Sequence, residues 1–63
     1  MTKLPVLIVD DDRDLLEAVC ATLRLAGHTA LAAGDGEAAM ALLQKQPVGL
    51  VVSDVHITGW PVY

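Results

Sequence analysis

The sequence lacks the features on which several classes of protein depend. Its 63 residues include one cysteine, Cys20, so the chain cannot form an internal disulfide or a cysteine zinc cluster. Lys and Arg number 4 against 8 Asp and Glu, and the net charge of −4 provides no basic surface for nucleic-acid phosphates. The longest run without Asp, Glu, Lys or Arg, 25–34, falls far short of the ~20 apolar residues of a membrane span. We therefore expect no nucleic-acid contact by this segment, no membrane span, no export signal and a cytoplasmic location.

The overall composition is typical of a folded chain. Hydrophobic residues make up 54% and charged residues 19%, with a mean hydropathy of +0.51. This is too apolar for intrinsic disorder. A chain of this length buries only about 60% of the surface that its unfolded form exposes, so we expect one small domain of marginal stability.

Strand and helix patterns alternate along the chain. Continuous apolar runs predict strands, and apolar positions at helical spacing predict helices. The five predicted elements are a strand at 5–9, a helix from Asp12 to a stop at Gly27, a strand at 28–33, a helix at 37–45 and a strand at 48–53. The order β-α-β-α-β with short connections predicts an α/β fold with an open parallel sheet and right-handed crossovers.

Aspartates follow the first and third predicted strands directly. Asp10 and Asp11 end the first strand, and Asp54 follows the third, 43 residues after Asp11. Because parallel strands end at the same edge of a sheet, these carboxylates should converge there. Their mutual repulsion calls for a hard cation, and Mg²⁺ is the best candidate for an oxygen-rich site. With the negative charge of the carboxylates offset by the metal, one aspartate could attack phosphorus and form an acyl phosphate.

Three segments carry a family resemblance: VLIVDDD at the first strand, GDGEAAMALL across the second helix and GLVVSDV at the third strand. Together they resemble the receiver domain of bacterial two-component response regulators. The resemblance implies a partial flavodoxin-like fold with strand order 2-1-3, and Asp54 as the phosphoacceptor. It also implies that Asp10, Asp11 and Asp54 hold Mg²⁺ with the backbone carbonyl of His56, Asp11 being the more direct ligand of the first pair. The phosphoryl donor would be a phosphohistidine on a sensor histidine kinase, and the parent protein a transcription regulator.

The chain departs from the receiver pattern after its third strand. A receiver has five strands and five helices, so the family's switch Ser/Thr, later lysine and switch aromatic have no counterpart here. Thr58 stands where proline is usual, and we interpret residues 60–63 as a divergent or non-native tail. We expect 1–63 to be a truncated receiver domain that presents the acidic pocket without the complete switch. Truncation should expose the edge of the third strand and favour a two-fold homodimer through it.

Other interpretations stay open at this point. The principal one is a binding and signalling module and not an enzyme, but a haloacid-dehalogenase-type phosphatase also places an Asp-x-Asp, here Asp10 and Asp12, after its first strand. That class expects Thr or Val at Asp14 and a longer chain. A third possibility is an interaction fragment that is not phosphorylated and self-associates through its sheet edge.

Several residues have ordinary structural interpretations. Asp12 is expected to cap the first helix, Cys20 to be a small buried hydrophobe and His28 to lie in a surface loop. A metal-binding side chain at His56, paired with Asp54, is the less favoured alternative to its carbonyl role. We expect Trp60 and Tyr63 to cover exposed apolar surface.

Overall fold

The computed structural model describes residues 4–53, and in that range its elements follow the predicted order. The five elements are β1 (Val6–Val9), α1 (Arg13–Leu25), β2 (Ala30–Ala33), α2 (Gly36–Lys45) and β3 (Leu50–Ser53). The strands form one parallel sheet in the order β2-β1-β3. This confirms both the open parallel α/β sheet and the strand order 2-1-3.

The central strand β1 forms the core because it is covered on both faces. Leu7, Ile8 and Val9 are each at most 4% exposed. Successive side chains of a strand point to opposite faces, so Leu7 and Val9 pack with Ala39 of α2, whereas Ile8 packs on the α1 side. The continuous apolar run of the first strand is therefore explained by helices on opposite faces of the sheet.

The α1 side of the core is completed by helix residues at i and i+4. Leu16 and Cys20 lie in one cluster with Ile8 and Ala30, and Cys20 is only 2% exposed and unbonded to any other cysteine. The expectation that Cys20 acts as a small buried hydrophobe is confirmed. On the other face, Leu42 and Leu43 of α2 pack partly buried against their own cluster.

Helix α1 begins where the sequence predicts. Asp12 is its N-cap, and the carboxylate accepts a hydrogen bond from the backbone N–H of Leu15 at 3.2 Å. An acidic residue, Asp14, lies in the first turn and a basic residue, Arg24, in the last, as the helix dipole favours. The Arg24 Nη2 also donates to the carbonyl oxygen of Ala30 at 2.9 Å, which ties the end of the helix to β2.

The C-terminus of α1 closes in a Schellman motif. Gly27 has φ of +92°, and its N–H donates to the carbonyl of Arg24 at 3.0 Å. The N–H of His28 donates to the carbonyl of Leu23, also at 3.0 Å. These are the two bonds that define the motif, and glycine is favoured at the positive φ. The predicted stop at Gly27 is confirmed.

Strand and helix boundaries differ from the prediction by one or two residues. β2 begins at Ala30 and not at His28, because the His28 N–H closes α1. β3 begins at Leu50 and not at Val48, and Val48 packs against the α2-side cluster. α2 begins at Gly36, one residue early, after Asp35 caps it through an Oδ1 bond of 2.8 Å to the N–H of Ala38.

Strand β3 is paired with β1 but is poorly covered by helices. Its apolar side chains remain accessible: Leu50 is 57%, Val51 39% and Val52 47% exposed. β1 is its one neighbour in the described sheet, where β3 forms an edge. The predicted exposure of the third strand's edge and apolar side chains is confirmed. Neither helix between residues 4 and 53 is long and apolar enough to span a membrane.

Candidate functional site

Asp10 is fixed at the carboxyl end of the central strand. Its N–H donates to the carbonyl of Ala33 at 3.1 Å, which continues the pairing of β1 with β2 past Val9. Its Oδ1 accepts a hydrogen bond from the N–H of Asp12 at 2.9 Å. This contact over two residues is an Asx turn. The carboxylate of Asp10, a residue of intermediate exposure, is therefore held at a defined place at the sheet edge.

The other two aspartates of the triplet have different surroundings. Asp11 is exposed at the bend between β1 and α1. Asp12 is also exposed, but its carboxylate is engaged as the α1 cap. The structure thus separates the triplet into a strand-end pair, Asp10 and Asp11, and a capping residue. The capping prediction for Asp12 is confirmed.

The register of β1 with β3 shows which residues follow the ends of the two paired strands. Val9 pairs with Ser53 at the end of the two parallel strands. The next residues along the two chains are Asp10 and Asp54. Neighbouring strands lie about 4.8 Å apart, so the strand ends that precede these two residues are adjacent. Asp54 and His56 themselves lie outside the described residues, and their convergence with Asp10 and Asp11 stays a prediction.

The donor chemistry of the described pair fits a hard divalent cation. Asp10 and Asp11 offer carboxylate oxygens, which Mg²⁺ prefers, and Mg²⁺ is commonly held by one or two carboxylates with water and phosphate oxygens completing its shell. A carboxylate has about four lone-pair sites, so the single described bond to Oδ1 leaves Asp10 capacity to bind metal. No group of three or more potential metal ligands occurs within 4–53. The predicted metal set extends beyond that range to Asp54 and His56.

The positioning role of Asp10 does not follow from the sequence prediction, which gives this residue to metal binding alone. In the structure Asp10 is also the anchor of the loop that leads into α1. An Asp-x-Asp sequence between a strand and a helix is a signal for such a turn, because Asp side chains bond to the backbone two residues on. The two contacts are consecutive along the chain. The carboxylate of Asp10 accepts a hydrogen bond from the N–H of Asp12, and the carboxylate of Asp12 accepts one from the N–H of Leu15.

A family model and several curated proteins match the chain. The model of the response regulator receiver domain matches residues 6–60. The chain is 46% identical over 54 residues to the response regulator protein FleR of Pseudomonas aeruginosa, and 41% identical over 54 residues to the C4-dicarboxylate transport transcriptional regulatory protein DctD of Rhizobium meliloti. It is 34% identical over 59 residues to a putative response regulator, NtrX-like, of Rickettsia conorii.

These matches cover most of this chain but little of the relatives. They span 86%, 86% and 94% of the 63 residues, but only 11%, 12% and 12% of the three relatives. The similarity therefore concerns one segment of much longer proteins. No solved structure matches the chain significantly.

Proposed function

The chain belongs to the response regulator receiver domain family, and from this premise we propose that Asp54 accepts a phosphoryl group from a phosphohistidine of a sensor histidine kinase. A phosphoacceptor role is general to this family. The observation that carries the proposal is the register of the sheet: Val9 pairs with Ser53, so the acid pair after β1 and the acid after β3 follow adjacent strand ends. The proposal makes the chain a signalling module and not an enzyme.

The transfer is a displacement at phosphorus. A carboxylate oxygen of Asp54 attacks the phosphorus of the donor, a P–O bond forms and the P–N bond of the phosphohistidine breaks. The imidazole nitrogen leaves with the electron pair and takes up a proton from solvent. The product is an acyl phosphate on Asp54, and no oxidant or further reactant is needed.

The residues proposed to hold Mg²⁺ are Asp10, Asp11 and Asp54 through their carboxylates, and His56 through its backbone carbonyl. When bound, Mg²⁺ supplies positive charge that offsets the carboxylates and the incoming phosphoryl oxygens. The role of Asp10 is supported by its anchored position, since the bond from the Asp12 N–H fixes the carboxylate before any metal arrives. Asp11 is exposed and thus accessible to a cation from solvent.

The test is phosphorylation by a small donor. The chain is incubated with acetyl phosphate and Mg²⁺, and its intact mass is measured. We expect the mass of one added phosphoryl group on the wild type, its loss in Asp54→Ala and its loss when EDTA removes the metal. Asp14→Ala is the matched control, because Asp14 is an exposed aspartate of the first turn of α1 and has no proposed role in the site. An adduct that persists in Asp54→Ala would contradict the proposal.

The setting of the module is also proposed. Its family supports a sensor histidine kinase as partner and a cytoplasmic parent protein. One relative, DctD, is named as a transcriptional regulatory protein, which supports a transcription regulator as the parent of this chain. The acidic balance, with a net charge of −4, supports a parent whose nucleic-acid contacts lie outside this segment.

A second candidate function is self-association without phosphorylation. It is favoured by β3, whose three apolar side chains are between 39% and 57% exposed at the edge of the described sheet. An edge strand is a template for pairing with another chain, and a two-fold dimer through β3 would join two sheets. Pairing through β3 does not prevent phosphorylation. The mass assay therefore separates the two candidates by whether a phosphoryl group is added, and the oligomeric state is measured separately.

Sedimentation velocity tests the dimer. We expect dimers in the wild type and a shift towards monomer in Val51→Lys, because a lysine on an edge strand opposes pairing. Leu25→Lys is the control: Leu25 is 90% exposed at the end of α1, away from β3, and the substitution introduces the same charge. Monomers in the wild type at all concentrations would exclude the dimer.

A further inference from the structure

Asp12 joins the end of the central strand to the start of α1. Its backbone N–H donates to Oδ1 of Asp10 at 2.9 Å, and its carboxylate accepts from the N–H of Leu15 at 3.2 Å. Its carbonyl oxygen accepts from the N–H of Leu16 at 2.9 Å, which is the first backbone bond of the helix. One residue therefore contacts a proposed metal ligand on its strand side and the first turn of α1 on its helix side.

Both ends of this connection are fixed to the body of the domain. On the helix side, Leu16 is 8% exposed and lies in the core cluster between α1 and the sheet. On the strand side, the N–H of Asp10 donates to the carbonyl of Ala33 at 3.1 Å. Between them the backbone of Asp12 is extended, with φ of −84° and ψ of 103°. The two bonds to the helix therefore hold this backbone in the orientation that directs its N–H to Asp10.

We propose that Asp12 is a positioning residue of the Mg²⁺ site: its carboxylate caps α1 and thereby keeps the Asp12 N–H bonded to the Asp10 carboxylate. The inference rests on the proposed function, since it takes Asp10 and Asp11 as metal ligands. Hydrogen bonds from outside the first shell orient ligating carboxylates, and their loss weakens metal binding by roughly 10–100-fold. Asp12 acts through one such bond without binding the cation itself.

The contacts of Asp12 distinguish a positioning role from an electrostatic one. Any of the three consecutive aspartates would attract a cation through its charge alone. The Asp12 carboxylate is engaged with the N–H of Leu15, a contact that the uncharged amide oxygen of asparagine can also make. The positioning role therefore requires an acceptor oxygen at position 12, whereas a ligand or a purely electrostatic role requires a negative charge there.

The test compares the Mg²⁺ affinities of two variants, measured by calorimetric titration of the 63-residue chain with MgCl₂. Asp12→Asn and Asp12→Ala remove the same charge, but only asparagine keeps an oxygen that can cap α1. We expect Asp12→Ala to bind Mg²⁺ roughly three- to tenfold more weakly than Asp12→Asn. This is less than the roughly 10–100-fold effect of losing an outer bond outright, because the N–H of residue 12 remains.

The N-cap of α2 provides the matched control. Asp35 caps that helix through the same kind of bond, from the N–H of Ala38 to Oδ1 at 2.8 Å, and has no proposed role in the metal site. Asp35→Ala should have a lower Tm than Asp35→Asn, as expected for the Asp12 pair, but the two Asp35 variants should bind Mg²⁺ equally. The comparison separates the proposed positioning from a general loss of stability.

Three results would overturn the inference. Equal Mg²⁺ affinities of Asp12→Ala and Asp12→Asn would show that the cap does not act on the site, while Mg²⁺ binding by the wild type would still support the proposed function. A difference of the same size between the two Asp35 variants would assign the effect to stability. A wild-type chain that binds no Mg²⁺ would overturn the inference together with the proposed metal site.

A further variant covers the case in which Asp12→Ala does not fold. Glycine is tolerated at an N-cap but has no side chain that could accept the N–H of Leu15. Asp12→Gly should therefore keep the fold and lose the cap bond. Weaker Mg²⁺ binding by Asp12→Gly than by Asp12→Asn would support the inference, and equal binding would refute it.

Discussion

Substitution of Asp10 separates the two roles that the structure gives to one carboxylate. Its Oδ1 accepts the N–H of Asp12 at 2.9 Å, and the same side chain belongs to the proposed metal site. Asp10→Asn keeps a carbonyl oxygen that can accept the Asp12 bond but removes the charge. Asp10→Ala removes both. The two variants should therefore behave alike towards Mg²⁺ and differently in its absence.

The expected magnitudes follow from these contacts. Without metal, Asp10→Ala loses one hydrogen bond, which contributes about 1 kcal/mol. For a domain of this size that lowers Tm by roughly 4–8 °C. Asp10→Asn should change stability by less than about 0.5 kcal/mol, since it keeps the acceptor and relieves repulsion with Asp11. Mg²⁺ at ten times its Kd should stabilise the wild type by about 1.4 kcal/mol, because a ligand that binds only the folded state contributes RT ln(1 + [Mg²⁺]/Kd).

The assay is thermal unfolding followed by circular dichroism, with excess EDTA or with Mg²⁺. The Mg²⁺ increment of about 1.4 kcal/mol corresponds to a rise in Tm of roughly 6–11 °C, which both Asp10 variants should lose. Asp14→Asn is the matched control, because it removes the same charge in the first turn of α1 and should retain the increment. Retention of the full Mg²⁺ increment in Asp10→Asn would contradict the metal role of Asp10. An equal Tm for Asp10→Ala and Asp10→Asn in EDTA would contradict its role as the loop anchor.

Three further substitutions test the fold that carries the site, each measured by the same unfolding assay. Gly27→Ala should lower the free energy of unfolding by about 1–2 kcal/mol, because Gly27 has φ of +92° while a new Cβ would meet only open space. Gly34→Ala is the control, since Gly34 is equally open but not at positive φ, and it should be near neutral. Equal effects of the two substitutions would contradict the role of the positive φ. Asp35→Ala should cost about 1 kcal/mol through loss of the α2 N-cap bond, whereas a neutral result would show that the cap is dispensable. Leu7→Ala should lower the free energy of unfolding by about 3 kcal/mol because Leu7 is fully buried. Leu25→Ala, at a 90% exposed position, should lower it by less than about 0.5 kcal/mol. A cooperative transition of Leu7→Ala near the wild-type Tm would refute the central place of Leu7 in the core.

The parts of the fold that sequence predicts well are those where local signals agree. The apolar run before Asp10 and the capping residues Asp12 and Gly27 all place the first strand and helix correctly. For the weaker strand β2 the sequence predicts a start at residue 28, two residues before the observed start at Ala30. Its sequence does not reveal that the N–H of His28 is used to close α1, because that bond depends on the three-dimensional path after Gly27.

The site is predictable from sequence as a set of acids but not as an arrangement. Topology alone places Asp10 and Asp11 at the carboxyl edge, since parallel strands share that edge. The separate roles of the three aspartates depend on which N–H groups each carboxylate contacts, and the structure shows those contacts. The position of the apolar groove between Leu15 of α1 and Val52 of β3 was not predicted either. Periodicity shows that Leu15 is on the apolar side of its helix but not that α1 stops short of covering β3.

The exposed strand also connects the groove to the acid site. β3 is held by its pairing with β1, while Leu50, Val51 and Val52 stay partly exposed, and Asp54 follows its last residue in sequence. Whatever covers Val52 should stabilise β3, and with it the strand end from which Asp54 continues. Such coupling is reciprocal, so Mg²⁺ binding and the pairing of β3 with β1 should favour one another. We therefore expect Val52→Ala, which removes a β-branched side chain from β3, to weaken Mg²⁺ binding, measured by titration of the folded chain, although Val52 is not a proposed ligand. An unchanged Mg²⁺ affinity would mean that pairing with β1 alone is enough to set the end of β3.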